Sequence, residues 1–189
     1  MHMRFLQSRG FSLIEVMVAL IVLSVGLLGV AKMQALSLSS TTISNKRSMA
    51  AIEAASLAAA MHVNRGYWNA ADAAAAKIAV AGTTVSVTSG APNLAAMLAG
   101  VVPACTSIVT PCPVTNMAAY DLQNWALALQ GLLPNDAALI SCGAAPVTCT
   151  INIQWTENAI AINNQEAQAL AAGPTAAIQN PSYTLYVQP

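Results

Sequence analysis

One feature limits what this chain can fold into more than any other: a long apolar run near the N-terminus. From Gly10 to Ala31 the only charge is Glu15, and residues 16–31 (VMVALIVLSVGLLGVA) are uninterrupted by charge. Phe11–Ala31 is 21 residues, the length a helix needs to cross a bilayer. Arg4 and Arg9 precede the run with no acid nearby. The positive-inside rule then puts the N-terminus in the cytoplasm and everything after Lys32 outside. A cleaved secretory signal would have a shorter apolar region followed by a small-residue cleavage site, which is not seen here. A plain signal anchor fits the length but leaves Glu15 as nothing but a cost, about 2.5–3.5 kcal/mol at mid-bilayer and less near the interface.

A third reading gives Glu15 a purpose. The string Arg9-Gly10-Phe11-Ser12-Leu13-Ile14-Glu15-Val16 resembles the class III signal of type IV prepilins and pseudopilins. The match is local, about 20 residues, and specific. In that family a membrane peptidase cuts after the Gly and N-methylates the new N-terminal Phe. The resemblance therefore implies cleavage and methylation at Gly10 and Phe11, with Glu15 as the fifth mature residue and an assembly residue. The cut leaves a positive α-amine in an apolar bundle, and a carboxylate four residues on can pair with it, on its own chain or on a neighbour.

Charge is scarce and unevenly placed. Only 7% of residues are charged, against about 25% in a typical soluble domain. Low charge with 56% apolar residues argues against a disordered chain. Every Lys and Arg lies at or before Lys77, and residues 78–189 carry only Asp121, Asp136, Glu157 and Glu166. Such a region cannot hold a phosphate backbone, so no nucleic-acid partner is expected.

No Pro occurs before Pro92, and no Gly lies between Gly29 and Gly66, so residues 11–64 read as one long helix. Its outer half has a stripe at Leu36, Ile43, Ala50 and Leu57, with Met33, Ala54 and Met61 beside them, facing a head domain. Lys46, Glu53 and Asn64 fall to one side, while Arg47 falls on the stripe, its stem along the head and its charge in water. Gly26 and Gly29 allow close helix approach in the membrane half. The expected domains are a leader (1–10), a transmembrane and assembly half-helix (11–31), an outer half-helix (32–65) and a head (66–189). Within the head, residues 66–82 read as an Ala-rich loop or short helix and 83–88 as a strand. Residues 93–99 read as a short helix opened by Pro92 and ended by Gly100. An amphipathic helix over 118–133 carries Leu122, Trp125, Leu129 and Leu132, with Asp121 near its start. Strands follow at 150–156 and 183–187, separated by a polar excursion at 157–182 that reads as a long hairpin loop or a short helix at 164–172.

Several motifs, most of them in the head, resemble the PilV (type IV pilus modification protein) family of minor pilins. They are Gly26-Leu27-Leu28-Gly29 with Gln34, Tyr120-Asp121-Leu122 with Trp125, Leu133-Pro134, Cys149 with Ile151, Ile153 and Trp155, and the Tyr-rich last strand. The resemblance implies an α+β pilin-like lollipop, a long N-terminal helix packed on a small antiparallel β-sheet head. It also implies a function without catalysis: priming type IV pilus assembly near the tip and joining the pilus, in support of twitching motility and adhesion. The implied partners are other minor pilins, the major pilin, the prepilin peptidase and the inner membrane. The head would be periplasmic first and extracellular in the pilus. A type II secretion pseudopilin and a membrane-anchored binding or adhesive domain that never assembles are the alternatives.

Cys105, Cys112, Cys142 and Cys149 form two C-x6-C pairs in the exported region, where disulfides form. Each local pair encloses Pro or Gly turn residues, so Cys105–Cys112 and Cys142–Cys149 are the expected bonds, among three possible pairings. A four-thiolate zinc site is disfavoured because the spacing exceeds that of zinc ligands. No metal and no cofactor is expected. His62 is a lone histidine on the long helix, the other being His2 in the leader, and no nucleophile elbow, phosphate loop or zinc-protease motif occurs, so no enzyme is expected.

Overall fold

The computed structural model describes residues 12–107, 111–144, 146–158, 168 and 178–189. The chain divides into two compact units, one ending at Thr41 and the other spanning Thr42–Pro189. The helix α1, Leu13–Val63, contributes to both. In the first unit its large apolar side chains, from Leu13 through Val30, are exposed. α1 is long and apolar enough to cross a membrane.

The second unit is α+β. Its order is the outer part of α1, α2 (Arg65–Trp68), β1 (Lys77–Ala81), β2 (Thr84–Ser89), α3 (Pro92–Leu98), α4 (Val114–Leu132), β3 (Ala137–Cys142) and β4 (Cys149–Gln154). Then come β5 (Glu157–Asn158), β6 (Ile178–Gln179) and β7 (Ser182–Val187). The main sheet is antiparallel throughout, in the order β2-β1-β3-β4-β7, and β5 and β6 pair separately. A two-residue turn, Gly82-Thr83, closes the β1–β2 hairpin with Gly82 at φ +54, a conformation glycine adopts without steric cost. Gly90 is also needed at φ +65, because a Cβ there would lie 2.7 Å from the Ala75 carbonyl oxygen.

Strand alternation builds the core. Ile78 and Val80 of β1, Ala138, Ile140 and Cys142 of β3, and Cys149, Ile151 and Ile153 of β4 all turn to one face and are buried. Ala50, Ala54, Leu57, Ala58 and Met61 of α1 join them, as do Ala118, Ala119, Leu122, Trp125, Ala126 and Leu129 of α4. Each fully buried Leu or Ile contributes about 1.5–3 kcal/mol. Tyr67 and Trp68 add the bulkiest inserts, their rings edge to face at 5.1 Å.

Several expectations need correction. Residues 77–81 are a strand, not loop, and Ala137–Cys142 is a strand that the sequence reading did not assign. α4 begins at Val114, so Asp121 sits two turns inside it rather than at its start. Leu132 is exposed, because the buried side of α4 runs through Ala118, Leu122, Ala126 and Leu129 instead. Met33 is exposed too, and the buried stripe of α1 begins at Ala50. Asn64 is buried and donates from Nδ2 to the Val114 carbonyl at 2.8 Å. Apart from Gln168, the short helix read at 164–172 lies outside the described residues.

Candidate functional site

The N-terminal site is built by the start of α1. Gly10 and Phe11 lie outside the described residues. Ser12 directly precedes the helix, and its carbonyl accepts from the Glu15 amide at 3.0 Å and the Val16 amide at 3.3 Å. Glu15 stands in the first turn, where the unpaired amides of a helix start favour a negative charge. Its side chain is exposed, as are the apolar side chains that follow it. Gly26 and Gly29 have nothing within 4 Å of where a Cβ would stand, so this face is open to close approach by another helix.

In the second unit, polar groups cluster at two places. Arg47 Nη2 reaches Glu157 Oε2 at 3.3 Å, and the Trp155 indole donates to Glu157 Oε1 at 2.9 Å. The carboxylate is buried while the Arg47 side chain is 59% exposed, so water screens the pair from the arginine side. The sequence reading sent the Arg47 charge to water. The side chain does reach water, but it also meets an acid 110 residues away. The sequence reading counted Glu157 only among the few acids after Lys77, because nothing local marks its pairing with a residue 110 positions earlier.

The other cluster is a groove of about 300 Å3 between α1 and α4, lined by Glu53, Ser56, Leu57, Asp121, Asn124 and Trp125 among others. The Trp125 indole donates to the Glu53 carbonyl at 2.9 Å, joining α4 to α1 beside the groove. Burial pushes both the Glu53 and the Asp121 carboxyl above the ordinary range. Elsewhere Asp72 accepts from the Tyr67 hydroxyl at 3.0 Å and the Asn93 amide at 3.1 Å, tying the segment after α2 to the start of α3. Burial first, and then Asp72, raise the Tyr67 pKa.

Cys105–Cys112 and Cys142–Cys149 are disulfides. Cys142 and Cys149 face each other as the last pair of the β3–β4 ladder. With all four sulfurs bonded, none is a free thiolate. Among the described residues, no group of three or more His, Cys, Asp or Glu could hold a metal ion.

Residues 6–31 match the family model described as the prokaryotic N-terminal methylation motif. The match covers the N-terminal part of the chain alone and supports a type IV pilin-like or pseudopilin protein, structural rather than enzymatic. An apolar N-terminal helix with this motif is consistent with a single-pass membrane anchor. No curated protein and no solved structure matches the chain.

Proposed function

We propose that this chain is a minor pilin of the PilV type, cut between Gly10 and Phe11 by the prepilin peptidase and N-methylated on Phe11. It primes type IV pilus assembly and enters the pilus near the tip with other minor pilins, supporting twitching motility and adhesion. The observation that carries this reading is the methylation motif over residues 6–31, placed on a helix whose membrane half is open and apolar. In the bilayer that half packs against lipid, and in the filament against other pilin helices. The α-amine of Phe11 then pairs with Glu15 of its own or a neighbouring chain.

Mass spectrometry of the mature protein is the direct test. The expected N-terminus is N-methyl-Phe11, and an intact Met1 start would sink the proposal. Glu15→Ala is expected to be processed and to reach the membrane yet to drop out of pili. A type II secretion pseudopilin carries the same N-terminal motif, and a deletion strain separates the two. Loss of twitching supports the pilus, and loss of exoprotein release supports the secretion system.

A further inference from the structure

The two disulfides join cysteines at the same sequence separation, 7, so loop-closure entropy does not tell them apart. Their surroundings do. Cys142 and Cys149 are 7% and 1% exposed and belong to the core. They stand opposite each other on two paired strands, which hold both sulfurs in place. Cys105 and Cys112 are half-buried, and neither belongs to a helix or a strand. Both line a surface pocket of about 260 Å3, together with Pro103, Pro111, Pro113 and Asn116.

The same pocket adjoins the start of α4. Cys112 lies two residues before Val114, the first residue of that helix. Pro113, at the cap position, makes no side-chain cap hydrogen bond, and the first turn holds no acidic residue. The leading amides of a helix have no partner within it and carry a partial positive charge. A thiolate beside a helix start is stabilised by that charge. Of the two cysteines, Cys112 is the one next to the helix in sequence, which makes its sulfur the better leaving group.

We propose that Cys105–Cys112 is a redox-active disulfide, opened by a dithiol that enters this pocket, while Cys142–Cys149 stays closed. A thiolate of the dithiol attacks Cys105 Sγ and forms a mixed disulfide there. The Cys105–Cys112 bond breaks, and its electron pair leaves on Cys112 Sγ as a thiolate beside the start of α4. The second thiol of the dithiol then displaces Cys105 Sγ and closes the reductant's own disulfide. Two electrons and two protons pass from the dithiol to the protein, whose two cysteines end as thiols. Opening releases the covalent tie within the segment that joins α3 to α4. The β3–β4 ladder, with its own bond, is left intact.

The test uses the full chain purified in detergent without reductant. Dithiothreitol is added at neutral pH, samples are quenched with N-ethylmaleimide at intervals, and peptide mass spectrometry follows each pair. Cys105 and Cys112 are expected to be labelled at least several-fold faster than Cys142 and Cys149, with the native tryptophan fluorescence retained. Brief exposure to glutathione, a monothiol, is expected to leave the adduct mainly on Cys105. In unfolding concentrations of urea the two pairs are expected to open at similar rates, because only the fold distinguishes them. Asn116→Asp puts a carboxylate into the first turn of α4, where it repels both the incoming and the leaving thiolate. It is expected to slow the opening of Cys105–Cys112 several-fold, and Asn116→Gln to leave it unchanged. Equal rates in the folded protein, earlier opening of Cys142–Cys149, an adduct mainly on Cys112, or no effect of Asn116→Asp would each overturn the proposal.

Discussion

Asp136 links α4 to β3 and holds the worst-placed polar atom in the second unit. It is 7% exposed, and its Oδ2 accepts no hydrogen bond among the described residues. Burial raises its pKa, and its own backbone amide offsets part of that rise. A carboxyl whose folded pKa lies above the unfolded one penalises the folded state at neutral pH. The penalty fades as pH falls through the folded value toward the unfolded one. Asp136→Asn keeps the shape and removes the charge, and is expected to stabilise the protein by about 1 kcal/mol at pH 7. Thermal melts in detergent should show the gain at pH 7 and lose it as the pH approaches 4. A gain independent of pH would show that ionisation is not its cause. Asp136, Asn64 and Glu157 also mark where a sequence is hardest to read. Each is polar by type yet buried by partners or segments far along the chain, and neither periodicity nor spacing carries that information.

Elements were legible where side chains were large and regularly spaced. α1, α3, β2, β4 and β7 lie within two residues of the spans expected from capping and alternation. β1 and β3 were not recognised because alanine occupies several of their positions, in KIAVA and AALISC. Alanine is buried here as readily as it is exposed, so it blurs the period-2 signal that Ile78 and Val80 alone supply. The start of α4 was missed for a related reason: its first turn, Val114–Met117, lies ahead of the Leu and Trp stripe. The β3–β4 pair depends on more than its ladder, since Cys142–Cys149 closes its end. Replacing both cysteines by serine is expected to cost about 2 kcal/mol by loop-closure entropy. Denaturant unfolding of the double variant should show a lower midpoint with little change in slope. An unchanged midpoint would mean that the ladder alone holds the hairpin.

For the molecule as a whole, charge and architecture divide at nearly the same residue. All the basic side chains occur at or before Lys77, and Lys77 is the first residue of β1. Everything after it, comprising the rest of the sheet, α3, α4 and both disulfides, contains no Lys or Arg. A protease specific for basic residues can therefore trim the chain at Lys32, Lys46, Arg47, Arg65 or Lys77 and has no substrate beyond. Trypsin treatment of membranes carrying the protein is expected to release pieces of α1 and to leave residues 78–189 uncut within a single fragment. Most of the fold is thus chemically invisible to trypsin-like proteases, whether it is folded or not.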